Sequence, residues 1–272
     1  MFENCYYNAN IRYFKLTNIR IVYMDNTEFE LDDDAVDHAF ADVPQGLYYT
    51  WNDEYNGYEV NYRLKDKCTA TEITVPSAYN DSNVVAIANG AFKGITSLQT
   101  INLPDSISQI GTSAFYNCSN LSSVTVGANS QLTEIASYAF SGCSSLTNFT
   151  IPSKITIIEQ GLFEDCTSIT EIIIPHGVTL IGGWAFGGCP NLTTIVIPNT
   201  VTLIDYHAFG GSNIESVVYY GGDISEWEKI DIDNCNGYLE DSIRYYYSET
   251  IPDEEGNYWH YVNGVPTPWT IK

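Results

Sequence analysis

Apolar residues recur at a fixed spacing over residues 84–219, in a pattern that is repeated six times. Each copy has a phenylalanine, an isoleucine five residues before it and a branched apolar residue eight residues before it. A period of about 23 residues is typical of a solenoid, because one such unit is too small to bury its apolar side chains unless it stacks on its neighbours. The phenylalanines are Phe92, Phe115, Phe140, Phe163, Phe186 and Phe209.

Each copy also contains a short segment in which apolar residues alternate in direction. Over residues 170–174, Ile172 and Ile174 are predicted to face inward, and Glu171 and Ile173 outward. Proline follows this segment in most copies and ends it, because proline cannot donate to a strand ladder. We therefore predict a right-handed repeat solenoid, mostly strand and turn. Each coil of about 23 residues should add one strand to a parallel sheet on one face, with short helical turns around each Ala-Phe pair.

The remaining segments divide the chain into three further predicted parts. Residues 1–46 form a small N-terminal unit of unknown role, with strands at 11–16 and 19–24 and a short helix at 32–41. Residues 47–83 form a cap hairpin and a first irregular coil, because the Asn56-Gly57 pair lies between alternating Tyr-rich stretches. Residues 220–272 form an aromatic C-terminal cap.

The aromatic tail over residues 258–269 has two possible roles. It could fold back over the open end of the solenoid, which would otherwise expose apolar side chains and unpaired strand groups. Alternatively, Trp259 and Trp269 could be exposed and bind a sugar.

The chain is acidic, with 34 Asp and Glu residues against 11 Lys and Arg residues and a net charge of −23. This charge disfavours nucleic acid and anionic membranes as partners. No apolar run reaches 18 residues, so no membrane span is predicted. Residues 1–10 lack both a basic and an apolar region, so no signal peptide is visible.

Four cysteines occupy the position three residues after the phenylalanine in consecutive coils. Neighbouring coils would bring them within reach of a disulfide or a sulfur metal site. However, Ile95 and Ser212 fill the same position in the outer coils, which favours buried thiols that occupy space. The four are Cys118, Cys143, Cys166 and Cys189.

No catalytic, metal or cofactor site is predicted. The four histidines, at positions 38, 176, 207 and 260, have no spacing that marks a zinc site or a hydrolase. The acidic stretch at 231–237 fails as a calcium loop, because its glycine is one place late and Ser242 stands where a bidentate Glu is needed. The acids at 32–34 and 37 fit a solvated helix start better than a metal site.

The outward face of the predicted sheet is the candidate binding surface. One outward column changes from polar to apolar halfway along, which predicts an exposed apolar patch unless the C-terminal tail covers it. That column is Asn102, Thr125, Thr150, Ile173, Val196 and Val218, and the neighbouring column is Thr100, Ser123, Asn148, Glu171, Thr194 and Ser216. The predicted partner-binding residues are Glu171, Ile173, Thr194, Val196, Ser216 and Val218.

The motif IGGWAFGGCPNLTTIVIP at residues 181–198, with its five sister copies, resembles the BspA-like leucine-rich repeats of the Treponema pallidum type. The resemblance implies a non-enzymatic surface or secreted adhesion module that binds a protein or glycan, possibly host matrix or mucin. Two other classes stay open. One is a spacer without a ligand of its own, and the other is an enzyme with its site in the first 58 residues, which is disfavoured because no nucleophile-base pattern occurs there.

Overall fold

The computed structural model describes residues 19–22, 28–31, 46–62, 68–214, 217–233, 235–236, 239, 242–252, 256–263 and 265–269. The chain divides into two compact units, Met1–Pro44 and Gln45–Lys272. In the first unit, β1 (Ile19–Val22) pairs antiparallel with β2 (Glu28–Leu31). Strand β1 lies within the predicted strand 19–24, whereas the predicted strand 11–16 and helix 32–41 lie outside the described residues.

The second unit begins with the predicted hairpin. Strands β3 (Leu47–Asn52) and β4 (Gly57–Tyr62) pair antiparallel along their whole length. Asn56, in the four-residue turn between them, has a left-handed backbone with φ of 48°. Asparagine tolerates this conformation better than most residues, which explains the Asn-Gly signal.

The parallel sheet predicted from the repeats is present on one face of the coils, and we call it the main sheet. Its residues alternate as expected, since Ile172 is buried and Ile173 is 41% exposed. The sheet has two separate parts. The first contains β5 (Glu72–Thr74), β8 (Thr100–Leu103) and β10 (Ser123–Val126), and the parallel strands of the second are β13 (Glu171–Ile173), β15 (Thr194–Ile197), β17 (Val217–Tyr220) and β19 (Arg244–Tyr247).

Each coil also contributes a second strand that the sequence analysis did not predict. These strands contain the isoleucine five residues before each phenylalanine, and they form a second parallel sheet, also in two parts. Strand β4 pairs in parallel with its first strand, so the hairpin covers that edge. The strands are β7 (Ser82–Ile87), which also pairs with β6 (Ala78–Tyr79), β9 (Gln109–Ile110), β11 (Glu134–Ile135), β12 (Ile157–Ile158), β14 (Leu180–Ile181), β16 (Leu203–Ile204) and β18 (Asp231–Ile232).

The predicted helical turns are single turns. In the first coil, the Ala91 N–H donates to the Ala88 carbonyl, but the Phe92 N–H donates to Ala114 of the next coil at 2.7 Å. Left-handed residues two places before and two places after each phenylalanine stop the helix and turn alternate N–H groups toward the neighbouring coil. They are Gly90, Gly94, Ser113, Asn117, Tyr138, Gly142, Gly161, Asp165, Trp184, Gly188, His207 and Gly211.

The core is a column of stacked phenylalanine rings. All six repeat phenylalanines are at most 1% exposed. Successive ring centroids lie 5.2, 5.2, 5.7, 5.6 and 5.4 Å apart, with ring planes within 12° of parallel. The stack follows directly from the repeat, because equivalent side chains of consecutive coils lie one above another.

The solenoid continues beyond the predicted last repeat. Helix α1 (Ile224–Trp227) is capped by Asp223, whose carboxylate accepts the Glu226 N–H at 2.9 Å while the Glu226 carboxylate accepts the Asp223 N–H. After α1, β18 extends the second sheet and β19 extends the main sheet. The described residues between 220 and 247 therefore form another coil, although their sequence lacks the phenylalanine pattern of the six repeats.

The aromatic tail forms a hairpin of β20 (Tyr258–Val262) and β21 (Val265–Pro268), and β20 pairs in parallel with β19. Trp259 is 1% exposed and donates its indole N–H to the Tyr220 carbonyl at 2.8 Å. The tail is thus packed against the sheet. Trp259 is buried, which excludes it as an exposed sugar platform.

Both sheets are interrupted at the coil of Phe140: the main sheet has no strand in that coil, and the second sheet is broken between β11 of that coil and β12 of the next. In the main sheet, residues 147–151 lie between β10 and β13, and within the described chain no backbone hydrogen bond joins them to either strand. Here Phe149 replaces the smaller inward residue of the other coils. The centroid of its ring lies 5.0 Å from the ring centroid of Phe140 and 5.5 Å from that of Phe163. The coil before it is also two residues longer. The larger side chain and the insertion together explain why the ladder is broken.

Candidate binding groove on the main sheet

The structure places three of the six predicted binding residues outward and at least partly accessible on neighbouring strands. Glu171 and Ile173 face outward from β13 and are exposed. Thr194 is paired with Glu171 in register on the neighbouring strand and is half-buried. These residues mark the part of the predicted surface that is accessible.

The predicted orientation of Val218 is wrong. Val218 is fully buried and aligned with the inward-facing Ile195, while Val217 is aligned with Thr194. The prediction counted the last strand from Ile214, which comes one residue early in this coil. Counting from the phenylalanine of the coil would have given the observed register. Ser216 lies outside the described residues.

Val196 faces outward, as predicted, but it is not exposed. It is 3% exposed and packs in a cluster with Tyr219 and Trp259, against which Tyr245 and Tyr247 also lie. The predicted patch of three exposed apolar residues is therefore wrong, and the alternative, in which the C-terminal tail covers this column, describes Val196. Ile173 is the member of the column that remains exposed.

An open groove of about 620 Å³ lies beside Ile173. One wall is the interrupted segment 147–151, and the other is β13 with Glu171 and Ile173. Val265 and Pro266 of the C-terminal hairpin also line it. The groove therefore combines apolar side chains, the hydroxyls of threonines 147, 150 and 170, and one carboxylate.

A second groove of about 550 Å³ lies on the other side of the interrupted segment, between it and β10. Its rim includes Lys154, whose Nζ donates to the Gln131 side chain at 2.9 Å. Asn148 and Thr150 line both grooves. Among the described residues, the backbone N–H and C=O groups of residues 148–150, which line both grooves, have no backbone hydrogen-bond partner.

The Tyr219 phenol in the aromatic cluster is uncharged at neutral pH. Burial raises the pKa of the Tyr219 phenol, and the neighbouring Tyr245 and Glu171 add to the shift. The phenol therefore stays protonated. Glu171 provides the negative charge at this end of the groove.

Sequence reasoning missed Phe149, Val265 and Pro266 as groove residues. Phe149 could have been found, because it is the one aromatic residue in an inward column otherwise filled by Ile and Val. The hairpin residues carry no comparable signal, since their position depends on how the tail docks.

The four repeat cysteines are buried thiols, as predicted. Burial raises the pKa of Cys189 to about 12 and raises the pKa values of Cys143 and Cys166 well above the usual range. Such thiols are protonated at neutral pH and poor nucleophiles. Each donates a hydrogen bond of 3.0–3.2 Å to the carbonyl of the phenylalanine one coil earlier: Cys118 to Phe92, Cys143 to Phe115, Cys166 to Phe140 and Cys189 to Phe163.

The other candidate metal ligands do not assemble into a metal site in the described part of the chain. His176 and His207 lie on separate coils, and no three His, Cys, Asp or Glu side chains among the described residues are placed to hold a metal ion. Over the same residues, no helix has the length and apolar character of a membrane span. The acids at 32–34 and 37 lie outside the described residues.

Known proteins share both the repeat and the architecture. The BspA type leucine rich repeat region matches residues 61–160 and 126–237, in six copies. No curated protein sequence matches the chain. Among solved structures, the leucine rich repeat protein of T. pallidum is 26% identical with a TM-score of 0.58, and the match covers 73% of this chain and 94% of that one.

A leucine rich cell surface protein from Faecalibacterium prausnitzii A2-165 is 25% identical with a TM-score of 0.61. The match covers 82% of this chain and 59% of that protein, so the chain spans less than two thirds of this relative. The repeat match extends over more than half of the sequence and agrees with the observed stack of coils. The chain belongs to the BspA-type leucine-rich repeat family.

Proposed function

We propose that the chain is a non-enzymatic binding module of the bacterial cell surface, and that the 620 Å³ groove beside Ile173 holds a segment of a protein ligand. The observation that carries the proposal is the interrupted segment 147–151. It places unused backbone hydrogen-bonding groups next to an exposed apolar side chain in an open groove. An extended peptide can satisfy such backbone groups while its side chains fill adjacent pockets.

Two further facts support this proposal. Leucine-rich repeat proteins generally bind proteins and are generally not enzymes. A similar solved structure is described as a cell surface protein, which supports a surface location for this chain. Host matrix proteins and mucins are accordingly the first ligands to test.

We expect Ile173→Asp to weaken ligand binding by at least tenfold. The substitution would place an unpaired carboxylate in the groove, and desolvating it costs more than the roughly 1.4 kcal/mol that a factor of ten represents. The measurement is equilibrium binding of the full chain to matrix proteins, mucins and bacterial-wall glycans.

Ile157→Asp is the matched control. Ile157 is also 41% exposed, but it lies on β12 of the second sheet. The Ile157→Asp variant should bind the ligand as tightly as the unchanged protein does. The circular dichroism spectra of Ile173→Asp and Ile157→Asp should be the same. Equal binding by Ile173→Asp would refute the groove as the site, and no saturable binding to any panel member would favour a spacer.

A further inference from the structure

A different pocket, of about 470 Å³, lies at the turns of the coils rather than on the main sheet. Trp184 and His207 line it, and their rings are 4.8 Å apart at an angle of 32°. Glu164, Asp165 and the exposed thiol of Cys235 also line it. None of these residues belongs to the sheet groove.

Two glycines of the pocket wall are in close contact with its side chains. A Cβ atom at Gly187 would strike the Trp184 ring, and one at Gly188 would strike the Asp165 carboxylate. Both glycines line the pocket. The missing side chains at these two positions therefore let the indole and the Asp165 carboxylate pack directly against the backbone of the pocket wall.

The aromatic pair lies at left-handed backbone positions of the repeat. Trp184 and His207 are left-handed, with φ of 59° and 49°, at a position that glycine fills in the coils of Phe92 and Phe163. Tryptophan is unusual in this conformation, whereas histidine is enriched in it. The same position is left-handed in all six coils, so the repeat imposes this conformation on both residues.

The two carboxylates are not neutralised by the protein. No described Lys or Arg side chain forms an ion pair with Glu164 or Asp165, and the Glu164 carboxylate accepts only a long hydrogen bond of 3.4 Å from Ser141. Burial and the charge of Asp165 raise the pKa of Glu164. A half-buried carboxylate beside a second acid favours a positive group more than a neutral one.

We propose that this pocket binds the ammonium or guanidinium group of a Lys or Arg side chain from a partner protein, with the cation against the indole of Trp184 and paired with Glu164 and Asp165. A cation near an indole face and a carboxylate gains from both interactions. A neutral sugar could stack on the indole but would leave the carboxylates uncompensated. This site is independent of the sheet groove, so either can fail without the other.

The test adds acetyl-arginine amide or acetyl-lysine amide to the full chain. Binding is monitored through the indole N–H signals in NMR spectra. Trp184→Phe identifies the Trp184 signal. We expect both probes to shift this signal saturably, and the neutral acetyl-citrulline amide to have no effect. We also expect bound acetyl-arginine amide to slow alkylation of Cys235.

Glu164→Gln should weaken acetyl-arginine amide binding at least threefold, and Trp184→Gly, which keeps the backbone conformation without strain, should abolish it. Glu134→Gln, at an exposed position on β11 away from the pocket and both grooves, is the matched control and should leave the affinity unchanged. Equal shifts with acetyl-citrulline amide or methyl glucoside, no shift with either cationic probe, or full affinity in Trp184→Gly would overturn the proposal.

Discussion

Replacing Phe163 by alanine is expected to lower the free energy of unfolding by about 3–5 kcal/mol. The Phe163 ring is fully buried and stacks between Phe140 and Phe186, with centroid distances of 5.7 and 5.6 Å. Backbone hydrogen bonds between coils at the turns hold the neighbouring rings in place, so the cavity cannot collapse easily. Urea denaturation measures the change, and thermal denaturation should show a midpoint lower by on the order of 10 °C.

Phe163→Leu provides the comparison, because leucine retains most of the buried volume and should cost clearly less. A loss below about 1 kcal/mol in Phe163→Ala would mean that the ring column is not a main source of stability. It would also mean that the repeat phenylalanines are not the common core of the coils.

Replacing Trp259 by alanine should detach the C-terminal hairpin and expose the cluster beneath it. The indole lies within 5.3 Å, centroid to centroid, of the rings of Tyr219, Tyr247 and Tyr261, and its loss from a buried site costs about 3–5 kcal/mol. Because a solenoid transmits stability mainly between neighbours, the loss should be local rather than global. We expect increased binding of the dye ANS and loss of near-UV circular dichroism, while far-UV circular dichroism is largely kept.

Trp51→Ala is the control for this experiment. Trp51 is 47% exposed on β3, and its removal should leave ANS binding unchanged. If Trp259→Ala also bound no additional ANS, the hairpin would be held by other contacts. The coverage of Val196 would then need a different explanation.

The parts of the fold that depend on the repeat could be predicted from the sequence. The phenylalanine column, the buried thiols and the alternation of Ile172 with Ile173 all follow from a period and from strand geometry, which act locally and in every coil. The Asn-Gly signal of the first hairpin is local too. These predictions were right because each rests on interactions that recur.

The parts that depend on single exceptions or on long-range packing could not be predicted in the same way. Strands of the second sheet are mostly two residues long, too short to show an alternating pattern. Whether Val196 is exposed depends on Trp259, which lies 63 positions further along the chain and reaches it only after the hairpin docks. Similarly, the groove exists because Phe149 interrupts one strand ladder. A single larger residue in the sequence does not by itself indicate that a ladder will be interrupted.

The predicted orientation of Val218 is wrong because of a single local irregularity in the last repeat. Ile214 comes one residue early in its repeat, and counting from it shifts the whole predicted strand by one residue. In the structure, the strand keeps its distance from Phe209, and Val218 aligns with Ile195. The ring column sets the register, because each phenylalanine must lie above its counterpart.

Hydrogen exchange of the full chain, with and without the strongest ligand from the binding panel, tests the central claim most directly. Without ligand, the amides of residues 148–150 should exchange much faster than those of Ile172 and Ile195. No described strand pairs with residues 148–150, whereas Ile172 and Ile195 are paired on neighbouring strands. Bound ligand should slow exchange at residues 147–151. Saturable binding with no slowing at residues 147–151 would contradict the proposal that this groove is the binding site.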